Sequence, residues 1–298
     1  MTHILTLIGA PGTGALNSDT ARDLAALLPA GGEPVWLSPG EACDIPFAPD
    51  QTAALADLEA RIRAALGSRP VDCALLEAAG RRKKLLVADM DSTIIQQECI
   101  DEIAAYAGVK ERIADITERA MRGELEFESA LRERVALLAG LEEAVLEDVV
   151  SRRIALTPGA RTLVQTMKKH GAFCALVSGG FTFFTRRIAA MTGFDVDQAN
   201  RLLIRDGRLT GTVGEPILGR DAKLQALERH RRELGLKKSQ TMAIGDGAND
   251  LAMITEAGLG VAFHAKPVVA AQAHARIDHA DLTALLYLQG YRAEAFVS

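Results

Sequence analysis

Two short stretches carry carboxylates where they could do chemistry together. In the first, residues 85–95 (LLVADMDSTII), an apolar run ends in Asp89, and Asp91 follows two places on. Such a run reads as a buried strand. Residues i and i+2 of an extended chain face the same way, about 7 Å apart, so both carboxyls can lean over one substrate. One can act as nucleophile and the other as proton donor. The same residues admit a plainer reading, an Asp-Ser-Thr turn in which Asp91 caps the next helix. In the second stretch, residues 241–253, another apolar run ends in Gly-Asp-Gly and brings Asp246, Asn249 and Asp250 to a strand-to-helix junction. Carboxylates converging from two strand ends make a hard oxygen site suited to Mg²⁺. The spacing is not that of an EF-hand, which needs Asp or Asn where Ala248 stands.

Side chains so far apart in sequence can meet only if the fold brings strand ends to one edge, and the pattern of elements predicts that it does. From Thr157 onward, helix-like segments (158–170, 181–191, 221–234, 281–288) alternate with apolar strand-like ones (172–177, 241–244, 259–263). Two short strand-like runs, 199–205 and 208–213, flank a turn at Asp206 and Gly207. This alternation implies a parallel sheet with right-handed crossovers, whose ligands sit beyond the C-terminal strand ends. Between the first carboxylates and Thr157 the period changes to that of helices, at 100–107, 109–122, 128–138 and 141–154, punctuated by Gly108, Gly123 and Gly140. Residues 1–76 read as a separate βαββαβ unit of the ferredoxin-like class, with a helix at 51–66. The glycines of residues 9–14 are a strand-helix turn rather than a P-loop, because Ala15 and Leu16 stand where Lys and Ser or Thr are required. The basic run Arg81, Arg82, Lys83, Lys84 reads as a solvated linker rather than a nucleic-acid patch.

With both stretches in place, the chain resembles the haloacid dehalogenase superfamily of aspartate-nucleophile phosphatases. Asp89-Met-Asp91-Ser-Thr is similar to its first motif, Val177-Ser178-Gly179-Gly180 to its second, Lys223 to its third and the 245–250 stretch GDGAND to its fourth. Within the superfamily the similarity is to the phosphoserine phosphatases, carried by Glu98 in QQECIDEIA, Met121 and Phe127 in AMRGELEFESAL, and Arg134 in RERVALL. The resemblance implies a Rossmann-like parallel α/β core (77–96 and 157–298), a helical cap inserted after the first core strand (97–156), and a small α+β, ACT-like domain (1–76) for regulation or dimerisation.

It also implies a set of roles. Asp89 is the expected nucleophile and Asp91 the general acid and base, its pKa raised by crowding among carboxylates. Asp89, Asp246 and the backbone carbonyl of Asp91 are the expected Mg²⁺ ligands, with Asp250 behind the metal waters. Ser178 and Gly179, expected where a strand becomes a helix, would hold phosphate oxygens, and Lys223 would pair with phosphate and Asp89. Asn249 would orient the phosphate or Lys223. The expected substrate is O-phospho-L-serine, its ammonium on Glu98 and its carboxylate on Arg134, with Met121 and Phe127 as an apolar lid. The competing expectation is transfer of the phosphoryl group to another hydroxy amino acid such as homoserine.

Taken without that resemblance, several of these residues have plainer readings. Ser178 could be a helix N-cap, Lys223 a solvated surface group, and Glu98 and Arg134 ordinary helix-surface charges. Composition narrows the partners. At 298 residues, 48% hydrophobic and 24% charged, the chain has room for about two domains. A net charge of −5 gives no general attraction to nucleic acid or anionic membranes, so an anionic substrate must be held by local charge. Cys43, Cys73, Cys99 and Cys174 are scattered without CxxC spacing, the usage of a reduced protein. No signal-peptide pattern opens the chain and no apolar stretch approaches a membrane span, which predicts a cytoplasmic location.

Overall fold

A computed structural model describes residues 1–49, 55–121, 124–219 and 221–297, apart from the side chain of Met121. The first turn of the helix expected at 51–66 and residues 122–123 of the insert lie outside the described residues. The chain begins with β1 (His3–Gly9), α1 (Ser18–Ala25), β2 (Val35–Ser38), β3 (Ala42–Phe47), α2 (Leu55–Leu66) and β4 (Val71–Glu77). These strands form an antiparallel sheet in the order β2-β3-β1-β4. Strand alternation sends Leu5 and Leu7 to one face, where they pack with Leu24 of α1 and Leu58 and Ile62 of α2. The result is the ferredoxin-like arrangement that the order of elements predicts.

The second sheet begins at β5 (Leu85–Ala88), which runs into an irregular turn and then a layer of four helices, α3 (Cys99–Ala107), α4 (Lys110–Met121), α5 (Phe127–Ala136) and α6 (Ala144–Arg152). The chain returns through α7 (Ala160–Lys169), β6 (Phe173–Phe181), α8 (Thr182–Thr192) and β7 (Val196–Asn200). A hairpin, β8 (Leu202–Arg205) and β9 (Arg208–Val213), precedes α9 (Ala222–Glu233), β10 (Thr241–Gly245), α10 (Leu251–Glu256) and β11 (Leu259–Phe263). The last elements are α11 (Pro267–Ala270), β12 (Ala275–Ile277) and α12 (Ala284–Leu288). Six parallel strands lie in the order β12-β11-β10-β5-β6-β7. Their inner residues divide between the faces by parity: Leu86, Ala88, Cys174, Leu176, Met242 and Ile244 join one core, Leu85, Val87, Ala175, Val177 and Ala243 the other. A sheet buried on both faces explains why these strands read as unbroken apolar runs.

Some sequence expectations differ from the structure. The edge strands β7 and β12 carry little apolar signal: β7 is Val-Asp-Gln-Ala-Asn, and β12 has three residues. The strand-like run expected at 199–205 is divided between the end of β7 and β8. β6 continues through the second motif to Phe181, so Ser178 and Gly179 lie within a strand, and the helix begins at Thr182. The basic run is a solvated linker only in part, with Arg82 and Lys84 exposed. Arg81 pairs with Asp44 at 2.5 Å and donates to Thr6 and to the carbonyls of Tyr287 and Leu288. Arg82 stacks over the Tyr291 ring, and Lys83 donates to the Ser239 carbonyl.

Candidate active site

β5 and β10 are hydrogen-bonded neighbours, with Ala88 opposite Ile244. The Asp89 N–H extends that ladder to the Ile244 carbonyl at 3.0 Å. The 85–95 and 241–253 stretches therefore end side by side, and Asp89, Asp246 and Asp250 place carboxylate oxygens within 4.8 Å of one another. Close approach at this point depends on Gly245, because a Cβ there would lie 2.3 Å from Cγ of Asp250.

Lys223, the second residue of α9, enters this cluster. It is 4% exposed, and its ammonium lies 2.8 Å from Oδ1 of Asp89 and 2.5 Å from Oδ1 of Asp250. Burial alone would lower its pKa, but the charges of Asp250 and Asp89 outweigh that and raise it, so the ammonium stays protonated. Burial raises the Asp89 carboxyl well above the usual range, and the charge of Asp250 adds to this while Lys223 opposes it. The Met90 N–H also donates to Oδ1 of Asp89, and no described residue bonds the second oxygen.

Asp91 sits differently. Its Oδ1 accepts the N–H of Cys99, the first residue of α3, at 2.9 Å, and its Oδ2 accepts the Ser178 hydroxyl at 3.1 Å. One oxygen of this side chain thus makes the helix-capping bond, and the other meets Ser178 of the second motif. Its pKa is raised by burial, against the opposing bonds from Cys99 and Ser178 and the charge of Lys223. Crowding by carboxylates is not the leading cause that the sequence suggested. Its side chain is not one of the three whose oxygens converge.

The donors fit a hard divalent cation: three carboxylates converge, and nitrogen and sulfur ligands take no part in the cluster. Both oxygens of Asp250 are engaged, Oδ1 by Lys223 and Oδ2 by the Gly247 N–H at 3.0 Å. Asp89 keeps its second oxygen without a partner among the described residues, and Asp246 accepts the Thr93 hydroxyl on Oδ1.

Ser178, Gly179, Lys223 and Asn249 line a narrow cleft with Phe127 from the helical layer. Phe127 packs so near Gly179 that a Cβ there would be 3.4 Å from its ring. Glu98 immediately precedes α3. The residue as a whole is exposed, yet its carboxylate sits among other acids, and desolvation followed by the charges of Asp91, Asp246 and Asp101 pushes its pKa up to about 7. Arg134 is half-buried, donating to the Ala130 carbonyl at 3.3 Å and to Thr117 at 3.4 Å. Burial lowers its pKa, and the charges of Asp101 and Glu98 oppose the shift. Met121 ends α4, and its side chain lies outside the described residues.

Sequence reasoning missed two supporting residues. Ser92, at φ 53°, donates to Glu98 at 2.6 Å, and Thr93 donates to Asp246 at 3.3 Å. Both follow directly on the first acidic pair, so their place in that motif was the available signal.

A six-stranded parallel sheet with aspartates at adjacent strand ends and a lysine buried between them is a Rossmann-like α/β architecture with its acidic site at the C-terminal strand ends. The family model for haloacid dehalogenase-like hydrolases matches residues 86–255, and the chain belongs to that family. The chain is 50% identical over 233 residues to a phosphoserine phosphatase of Streptomyces coelicolor, a match covering 78% of this chain and 56% of that relative's length. It superposes on a probable phosphoserine phosphatase from Vibrio cholerae with a TM-score of 0.79 and 34% identity, covering 99% of this chain and 88% of the other. A phosphoserine phosphatase structure described as a phospho-aspartyl intermediate analogue aligns at a TM-score of 0.64 and 42% identity, over 69% of this chain and 98% of the other.

Proposed function

We propose that this chain is a Mg²⁺-dependent phosphoserine phosphatase, hydrolysing O-phospho-L-serine to L-serine and phosphate through an aspartyl phosphate. The observation that carries this reading is the division of labour between two neighbouring aspartates: Asp89 is held on buried Lys223, and Asp91 on Ser178 and the start of α3.

Phosphate monoesters hydrolyse so slowly unaided that an enzyme must supply more than about 20 kcal/mol of barrier lowering, and a covalent intermediate divides the task. Asp89 attacks phosphorus in line, using the carboxylate oxygen that Met90 and Lys223 leave free. Asp91 carries a proton when substrate binds, a state that its burial favours, and gives it to the departing serine oxygen. It then takes one from the water that attacks the aspartyl phosphate. Lys223, the Ser178 hydroxyl and the Gly179 N–H receive the phosphate oxygens, and Asn249 holds them from the other wall. Asp89 and Asp246 would hold a divalent cation, which would neutralise the repulsion between nucleophile and phosphate.

Glu98 and Arg134 take the ammonium and carboxylate of the serine moiety, and Phe127 with Met121 closes over them. Transfer to homoserine is not favoured, since the relatives are named phosphatases. No described helix is long and apolar enough to cross a membrane, and we place the enzyme in the cytoplasm. β2, at the outer edge of the first sheet, is the proposed route to a homodimer through the ACT-like unit, to be tested by molar mass in solution.

The test is phosphate release from O-phospho-L-serine, p-nitrophenyl phosphate and phosphohomoserine, with Mg²⁺ or EDTA and with Asp89→Asn as control. Mg²⁺-dependent preference for phosphoserine, lost in the variant, is the expected outcome. Release from the generic ester alone would overturn the substrate assignment and leave the aspartyl-phosphate chemistry standing.

A further inference from the structure

A second polar cleft lies away from the carboxylate site, where the first sheet meets the edge of the second. Arg63, Arg69 and Asp72 from the α2–β4 corner face Arg276, Asp278 and His279 at the end of β12. Most of the negative charge here is already engaged. Asp72, 1% exposed, accepts the N–H groups of Asp278, His279 and Ala280 at 2.8, 3.1 and 2.8 Å. Arg63 is engaged by Glu59 at 2.7 Å and by the Cys73 carbonyl.

The other two guanidiniums are less well served. Arg69 makes one weak contact, 3.5 Å to the Ala65 carbonyl, and no ion pair among the described residues. Nε of Arg276 lies 2.8 Å from Asp278 but outside hydrogen-bonding geometry. Among the described residues it is the one buried side-chain polar atom without a hydrogen-bond partner. Asp278 already neutralises Nε, and among the described residues no hydrogen bond or ion pair engages the two Nη groups of Arg276, which leaves them for a ligand oxygen. Guanidinium groups from both units line this cleft, and such groups suit a tetrahedral oxyanion better than a neutral molecule.

We infer that this cleft is a second anion site, taking a small phosphate-type oxyanion between Arg69 of the first unit and Arg276 of the second. It is separate from the catalytic reading, because none of its residues belongs to the cleft around Ser178 and Lys223. Ligand held this way ties the two sheets together across their junction.

Gly67 permits a clean test. It lines the cleft at φ 59° with open space where a Cβ would stand, and both Asn and Asp tolerate that conformation. Inorganic phosphate is titrated into the full-length protein at constant ionic strength while the His279 ring resonance is followed by NMR, assigned by its loss in His279→Asn. A saturable shift in the wild type is expected, retained in Gly67→Asn and weakened at least about tenfold in Gly67→Asp and Arg69→Ala. A non-saturating shift, or saturation equal in Gly67→Asp and Gly67→Asn, would overturn the proposal. Because the readout is local to His279, phosphate bound at the active site does not imitate a positive result, and failure here leaves the hydrolase reading untouched.

Discussion

The residue that most separates sequence from structure is Lys223. On its own, a lysine in the first turn of an amphipathic helix reads as a solvated group, and only the order of motifs raised it above that. Its burial between Asp89 and Asp250 gives it a cost of removal that no surface lysine has. Lys223→Ala leaves two carboxylates uncompensated, and an expected loss of about 3–5 kcal/mol in unfolding free energy accompanies loss of turnover. Denaturant unfolding alongside phosphate release checks both; a stable but inactive variant would confine the lysine to catalysis. Glu98 offers a pH signature. A carboxyl raised to about 7 gains its proton as pH falls through that value, and a protonated Glu98 no longer balances the substrate ammonium. The kcat/KM for phosphoserine should therefore fall on the acid side of about pH 7. In Glu98→Gln, and for an ester lacking the ammonium, that limb should be absent. An unchanged acid limb in the variant would remove Glu98 from ammonium binding. Asp91 was legible only as a choice between cap and acid, because a sequence does not say that two oxygens of one carboxylate can serve different partners.

At the scale of elements, apolar runs predicted the central strands, since burial on both faces leaves no polar alternation to confuse them. The edge strands β7 and β12 were not legible, because their exposed sides admit polar residues. The extension of β6 through Ser178 was hidden by two glycines that resemble a turn. The helical layer joins the sheet through two linkers zipped together: Ile95 pairs with Leu156, Gln96 donates to Ala155, and Thr157 donates to Ile94. The Gln97 side chain accepts the Ala155 N–H at 2.8 Å. The helical layer is also braced from the far side, where the β8–β9 turn pairs Arg208 with Glu142 at 2.7 Å and Gly140 donates to Leu209. If opening of the cap over the cleft limits turnover, loosening the zipper must alter kcat without altering metal affinity. Gln97→Ala should speed hydrogen exchange at Ala155 and change kcat by about two- to tenfold, with the Mg²⁺ dependence unmoved. Faster exchange with unchanged kcat would show that the linkers do not gate the reaction.

Across the whole molecule, the junction between the two sheets combines a shared apolar core, to which Ile8, Leu37, Ala42 and Ala74 of the first sheet contribute, with specific polar ties. Asp72 reaches from β4 to three N–H groups after β12, and Arg81 reaches from the connecting segment to Asp44, Thr6 and the carbonyls of Tyr287 and Leu288. Both ends of the Arg81–Asp44 pair are about one-tenth exposed, so removing the arginine leaves a nearly buried carboxylate with the Thr6 hydroxyl alone among the described residues and takes a donor from the Leu288 carbonyl, while the Tyr287 carbonyl keeps the Gly290 N–H. Arg81 touches nothing at Asp89, and the chemistry depends on strand ends on the opposite side of β5. Arg81→Ala should therefore cost about 3 kcal/mol and split thermal unfolding into two transitions, the first sheet melting before the second, while kcat near room temperature stays within about twofold of wild type. Scanning calorimetry beside steady-state kinetics decides it. One cooperative transition at lowered temperature would mean that the apolar contacts between the sheets suffice to couple them. A drop in kcat without a second transition would mean that the first sheet acts on the active site through this arginine.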